Sequence, residues 1–315
     1  MTIEAERKKG VPVLVLDAGN ALFKFANTSG DPNEKARAQL ILKQMDAMGT
    51  AAMAVGARDI TLGLDFLRGE AKGAKMKLLS ANLQDKAGKP LFPASTVVTA
   101  GGLKIGVVGA SPEGVLPESV GRPVIPAVVA EAKRLREKEK VEVVVALAAV
   151  PYDLARRLAQ QGEGVDFVFQ SHEGRGPGIA ARDGIATLVP PGERGRQLAR
   201  LELSVDGPGT FKDLATAGQA QASLKNIEAN ITRAKERLAA TKDAAAQRAL
   251  EETIATFEAR RAALQKEAKA DATGIARTHQ LTYIQLGQDV PSDPTIQKLV
   301  EKLEPPGAGH DGHNH

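Results

Sequence analysis

VPVLVLDAGN, residues 11–20, is the stretch whose reading decides the fold. Behind Pro12, the residues Val13, Leu14, Val15 and Leu16 form an unbroken apolar run that ends in a polar turn, Asp17-Ala18-Gly19-Asn20. β-branched and long aliphatic residues in succession read as a strand buried on both faces of an α/β sheet. The run stops at the carboxyl end of that strand, which is where ligands sit in open α/β sheets. Ala21, Leu22 and Phe23 follow, so the chain turns straight back into the core. A carboxylate and an amide beside a glycine at a strand tip suit a metal or a phosphate. They suit an ordinary polar turn as well.

Outward from this strand the pattern repeats. Residues 2–10 read as the end of a helix stopped by Gly10. Residues 34–48 place Ala36, Leu40, Ile41, Met45 and Met48 at helical spacing before Gly49. Residues 51–55 form a short strand ending in Gly56-Ala57-Arg58-Asp59, and residues 65–67 lead a short helix. Residues 76–83 contain a third strand with the tip Ser80-Ala81-Asn82. Residues 96–99 and 103–109 pair as a hairpin across Gly101-Gly102, followed by the tip Ala110-Ser111-Pro112. A helix at 127–138, a buried strand at 141–150, a helix at 152–161 and a strand at 165–169 come next. The last of these ends in Gln170-Ser171-His172-Glu173-Gly174. Residues 184–189 and 198–205 read as antiparallel strands. Strands and helices alternating with hairpins predict a mixed sheet system flanked by helices. Five successive polar tips are expected to line one cleft.

From residue 219 to 270 the chain changes character. It becomes rich in Ala, Glu, Lys, Gln and Arg, with no Gly or Pro. Leu224, Ile227, Ile231, Ala234 and Leu238 step by three and four, as do Leu250, Ile254, Phe257 and Leu264, with Thr241, Lys242 and Asp243 between. This predicts an antiparallel helical hairpin with an a/d-type seam, either self-paired or serving a partner or a second copy. Residues 275–286 return to a strand, and 294–303 form an amphipathic helix. The expected domains are 1–218 with 271–305, the insertion 219–270, and a disordered tail, 306–315. Its His310, His313 and His315 give the tail incidental affinity for transition metals.

The 315 residues are 43% hydrophobic and only 3% aromatic, with a net charge of +4. Basic and acidic residues interleave, and no stripe of Lys or Arg carries aromatics between, so nucleic acid is not expected as a partner. The absence of cysteine excludes disulfides, thiolate metal sites, cysteine nucleophiles and a Cys-x-x-Cys-His haem attachment in this chain. No stretch approaches the roughly 20 apolar residues of a membrane span. The charged start MTIEAERKKG has no apolar segment behind it, so no signal peptide is expected here.

The strand tips match a family. LDAGN (16–20), Ala47-Met48-Gly49, AVGARD (54–59), LSANL (79–83), GLKIGVVG (102–109), VVVALA (143–148) and VDFVFQSH (165–172) arrive in order. Over about residues 10–206 they resemble the catalytic domain of the 5'-nucleotidase and UDP-sugar hydrolase branch of the calcineurin-like metallophosphoesterases. The segment 283–303, containing IQLGQDVPSDPTIQKLVEKL, resembles the piece that follows that domain. The resemblance implies a four-layer α/β/β/α sandwich, here with the helical hairpin inserted. It also implies an exported protein, periplasmic or at the cell surface, and a further base-gripping domain beyond the linker at which this chain ends.

The family holds two divalent metals, which make a bound water nucleophilic near neutral pH. The resemblance carries that chemistry over badly. The family's first strand, ending in Asp-x-His, falls before Met1. Its bridging carboxylate is Asn20 here. Of its Gly-Asn-His-Asp motif, the ligand amide becomes Ala57 and the catalytic histidine becomes Arg58, a cation that cannot ligate a metal. Another ligand histidine falls at Ala149, and of the last Gly-His-x-His only His172 survives, behind Ser171. The cleft candidates are Asp17, Asn20, Arg58 and Asn82. The remnant metal positions are Asn20, Asp59 and His172, and Arg58 suits an anion. The expectation is a catalytically impaired domain that acts as a binding or assembly module, with no cofactor. The alternative is an active phosphohydrolase of nucleotides or related esters, using Mn, Zn or Fe at a rearranged site.

Overall fold

The structure is a computed structural model and describes residues 2–171, 181–192, 195–272, 276–287 and 290–304. The chain divides into two compact units, Met1–Ala199 with Tyr283–His315, and Arg200–Thr282. The fold is α/β with mixed sheets, and eight α-helices lie among the described residues.

The first unit begins with α1 (Thr2–Arg7), β1 (Val15–Asp17), α2 (Glu34–Ala47), β2 (Thr50–Ala54), α3 (Leu64–Glu70) and β3 (Lys77–Leu79). The strands β1, β2 and β3 form a parallel sheet in that order. The expectation that the opening strand is buried on both faces is corrected here. β1 has only three residues, lies at the sheet edge and is half-buried throughout, while Val11 is 53% exposed. An edge strand has one neighbour, so its aliphatic run is covered incompletely.

Next come β4 (Leu83–Gln84), β5 (Ser95–Ala100), β6 (Leu103–Ala110), β7 (Gly114–Leu116), β8 (Ser119–Gly121), α4 (Val124–Arg134), β9 (Val143–Ala148) and α5 (Tyr152–Gln161). They are followed by β10 (Phe167–Gln170), β11 (Ala181–Asp183) and β12 (Ala186–Val189). A second sheet runs β11-β12-β10-β9-β6-β5, with a small sheet β4-β8-β7 beside it. β5 and β6 pair antiparallel as expected. Gly101 and Gly102 both have positive φ, which a two-residue hairpin turn of this twist requires. The expected helix at 127–138 is α4 plus a wider π turn over Leu135–Glu139. All six residues of β9 are buried.

The sheet β1-β2-β3 packs against the six-stranded sheet, β2 and β3 against β6. α2 lies on β2, burying Ala38, Leu42 and Met45. α4 and α5 lie on the second sheet and bury Val124, Val128 and Ala132, and Leu154, Ala155, Leu158 and Ala159. Gly109 sets the spacing between the sheets, because a β-carbon there would stand 2.3 Å from the Leu79 carbonyl oxygen. Gly109→Ala is therefore expected to destabilise the fold by about 1–3 kcal/mol, the range for overpacking a core. Urea unfolding at fixed pH measures it, and a loss under half a kcal/mol would show that the sheets can spread.

In the second unit, β13 (Gln197–Val205), β14 (Lys212–Asp213) and β15 (Arg277–Gln285) form a sheet in the order β13-β15-β14. This corrects the expected pairing of 184–189 with 198–205: β12 runs parallel to β10, while β13 pairs with β15. Both segments have strand-like composition, which identifies a strand without naming its partner. Two long helices, α6 (Leu214–Ala240) and α7 (Ala244–Ala272), pack along each other. Ile227, Ile231, Ala234 and Ile254 are buried, and Lys235 Nζ lies 2.8 Å from Glu258 Oε1. Asp213 caps α6 by accepting from the Ala215 N–H.

The chain ends the first unit with α8 (Pro294–Leu303). Asp293 accepts from the N–H groups of Thr295 and Ile296, and Pro294 occupies the first turn. Asn33 Nδ2 donates to the Leu303 carbonyl at 2.8 Å, and Arg37 pairs with Glu304 at 3.1 Å. The tail 306–315 with its histidines lies outside the described residues.

Candidate functional site

The carboxyl ends of β1, β2, β3, β6 and β10 converge, and their polar tips close on one another. At the first tip, Asp17 Oδ1 accepts from the Gly19 N–H at 2.8 Å. Gly19 has φ +90° and rests on its neighbours: a β-carbon there would stand 2.5 Å from the Ala54 carbonyl oxygen and 2.9 Å from Ala149 Cβ. The loop backbone thus fills the space next to Ala149, itself fully buried.

Asn20 follows with φ 60°, a left-handed conformation that Asn tolerates better than most residues. Its side chain is 9% exposed. Asn20 Nδ2 donates to Ser171 Oγ at 2.9 Å, and Asn20 Oδ1 accepts from the Arg58 N–H at 3.1 Å. One amide therefore joins the tip of β1 in the first sheet to the tip of β10 in the second. A β-carbon on Gly56 would stand 2.2 Å from Asn20 Oδ1, so only glycine admits this side chain.

Asp59 is wholly buried. Its Oδ2 accepts from the N–H groups of Asn20 and Gly56 at 2.7 and 2.8 Å, and its Oδ1 from those of Ala21 and Leu22 at 2.9 and 3.1 Å. Four backbone donors thus converge on one carboxylate, which shapes the loop after β1. Burial pushes the Asp59 carboxyl up to about 7 against the pull of those N–H groups, and the charge of Asp17 adds to the rise. Burial also raises Asp17 above the ordinary carboxylate range, partly offset by the Gly19 N–H. The two acids are thus pushed the same way by desolvation, and the charge of Asp17 adds a smaller push on Asp59.

Asn82 does not face a cleft, which corrects the expectation for that residue. It is fully buried: its Nδ2 donates to the carbonyls of Ser111 and Arg122 at 2.9 Å, and its Oδ1 accepts from the Ser111 N–H at 2.8 Å. Ser111 Oγ lies 2.6 Å from the Val55 carbonyl and 2.7 Å from Ser80 Oγ. These groups clasp the tips of β2, β3 and β6. Arg58 is half-buried, with its backbone bound to Asn20 and to Thr61 Oγ1. His172 lies outside the described residues.

The structure thus brings Asp17, Asn20, Arg58 and Asp59 together and buries Asn82 among Ser80, Ser111 and Arg122. Sequence reasoning misses Ser171 and Ser111, although a hydroxyl at the position where the family carries glycine marks Ser171. Among the described residues no group of three His, Asp or Glu side chains is placed to hold a metal ion. No described helix is long and apolar enough to cross a membrane.

No protein-family model matches the chain. Over 154 residues it is 32% identical to a 5'-nucleotidase of Vibrio cholerae and 31% identical to one of Vibrio vulnificus. In each case the match covers 46% of this chain and 26% of the relative, so the chain spans about a quarter of the length of these curated relatives. Among solved structures, the calcineurin-like phosphoesterase YfkN from Bacillus subtilis superposes with a TM-score of 0.58 at 14% identity, over 96% of this chain and 86% of that one. The Thermus thermophilus sulfate thiohydrolase SoxB in complex with glycerol gives 0.56 at 21% identity, over 64% of this chain and 38% of that one. A 5'-nucleotidase precursor from Thermus thermophilus gives 0.53 at 22%, over 65% and 44%. The structural matches speak for the fold and the nucleotidases for the sequence, and together they support the 5'-nucleotidase and metallophosphoesterase family for this chain.

Proposed function

We propose that this domain is a degenerate 5'-nucleotidase-like metallophosphoesterase, impaired in catalysis, that acts as a binding or assembly module. Its frame is read as a four-layer α/β/β/α sandwich, residues 1–218 and 271–305. The helices of 219–270 are read as an inserted antiparallel hairpin that serves as a contact arm. Placement in the periplasm or at the cell surface follows from the family alone.

The observation that carries this reading is the use made of Asn20. A bridging ligand needs oxygen lone pairs free to face two cations. Asn20 is neutral, and both ends of its amide are engaged, by Ser171 Oγ and by the Arg58 N–H. Asp59 has two donors on each oxygen. Ala57 and Ala149 offer no donor atom, and the guanidinium of Arg58 repels a dication. This donor set does not fit a pair of metal ions. Arg58 at the half-buried edge suits an anion held without being cleaved.

Protein purified without chelator tests the reading. Elemental analysis is expected to find well under one equivalent of Mn, Zn and Fe together, with no turnover of a chromogenic phosphate ester above the background of the Asp59→Ala variant. One or two equivalents of metal accompanied by turnover would establish the alternative, a phosphohydrolase with a rearranged site.

A further inference from the structure

We infer that one flank of the α6–α7 pair is a docking surface for an acidic amphipathic helix of another protein. The inference rests on the reading of this chain as a binding module. Steps of three and four define the seam between the helices: Leu224, Ile227, Ile231, Ala234 and Leu238 on α6, and Leu250, Ile254, Phe257, Arg261 and Leu264 on α7. Lys235 and Glu258 each follow a seam residue by one position, and their 2.8 Å pair marks one flank of the seam. The carboxylates of Glu228 and Glu251 share that flank by the same spacing, while Glu236 and Glu252 fall on the backs of the helices.

Over residues 223–265, where the side chains of both helices are described, the opposite flank carries Arg233, Arg237 and Arg260, all exposed, and no carboxylate. Among the described residues none of the three is in an ion pair, and Arg233 Nη2 is bonded to the neutral Asn230 Oδ1 at 2.7 Å. Between the arginines stand small residues such as Ala249 and Thr253, over which a third helix can approach closely. The seam beneath is incompletely closed: Leu224, Leu238, Leu250, Phe257 and Leu264 are only half-buried. Arg261 occupies a seam position, and its Nε is sealed from solvent without a hydrogen-bond acceptor among the described residues. A buried donor without a partner is costly, and an acceptor brought by a docked chain relieves it.

Charge decides the occupant. A two-fold contact of this flank with its own copy would set the arginine rows against each other, and like charges across an interface are unfavourable. A helix that lays apolar residues over the seam and a row of Glu or Asp beside the arginines meets both requirements.

A labelled peptide of about 28 residues, matched to the arm at 1.5 Å per residue, tests this in two forms. Both carry a Leu seam, one flanked by Glu and the other by Lys. Fluorescence anisotropy with the full chain is expected to show binding of the Glu form only, weakening as salt rises. Affinity should fall tenfold or more in the triple variant Arg233→Glu, Arg237→Glu, Arg260→Glu, whose helix content by circular dichroism should match wild type. Absent binding, or equal binding to the triple variant, overturns the inference. So does tighter arginine-dependent binding of duplex DNA or phosphatidylserine vesicles, or a dimer in sedimentation that the triple variant abolishes. The measurements of metal and turnover judge the domain reading separately, since they do not involve the arm.

Discussion

Asp59→Asn is expected to lower the unfolding free energy by about 3 kcal/mol at about pH 5, the scale for leaving buried donors without acceptors. The carboxylate takes four backbone N–H groups, two on each oxygen. An amide presents its own NH2 to two of them. The pH dependence is the sharper test. Folded, Asp59 keeps its proton up to about 7; unfolded, it releases it near 3.9. Between those values the folded state holds a proton that the unfolded state has lost. The stability this gives is therefore present at the acid end and declines as pH rises through the window. Asparagine has no such proton, so the gap between wild type and variant should narrow from about pH 5 to about pH 8. Urea titrations at both values measure it. A gap that stays constant between the two pH values would mean that the N–H groups outweigh burial and that Asp59 is ionised throughout.

Much of the fold is legible in sequence where pattern and burial agree. The run 143–148 is apolar without interruption and all six residues are buried. Helices α5 and α8 lie at the residues their periodicity marks. Gly101-Gly102 announces its hairpin because no other dipeptide takes two positive φ angles so readily. The reading of 11–16 as doubly covered fails for a different reason. Aliphatic composition reports what a strand tolerates, while its place in the sheet depends on which strands arrive beside it. The antiparallel reading of 184–189 with 198–205 fails likewise, since pairing is a property of two segments distant in sequence.

The tips are legible as a group and opaque in their use. Sequence order brings Asp17, Asn20, Arg58 and Asp59 to one place. It does not say that Asp59 turns inward to the backbone, because a carboxylate ligand and a carboxylate cap are the same letters. Nor does it reveal Ser171, whose role exists only through Asn20, 151 positions away. Asn82 reads as a cleft residue because it sits at a strand end. Its four bonds to Ser80, Ser111 and Arg122 instead make it the buried clasp between sheets.

That pairing of Asn20 with Ser171 sets the last expectation. Asn20→Asp restores the family's carboxylate at the one position where a bridge between metals would stand. It also buries a third acid beside Asp17 and Asp59, both already raised by burial, Asp59 further by the charge of Asp17. At neutral pH the variant should lose about 3 kcal/mol, the scale of an uncompensated buried charge, and should recover part of it on acidification as the acids protonate. Metal separates the readings. A dication held at a hundred times its dissociation constant returns about 2.7 kcal/mol to any fold that binds it. With Ala57, Arg58 and Ala149 still in place, Mn or Zn at millimolar concentration should leave the melting temperature of Asn20→Asp where it was. If either ion brings the variant back to wild-type stability, the neighbouring groups still form a cation site, and the proposed impairment would rest on one oxygen rather than on the rebuilt tips.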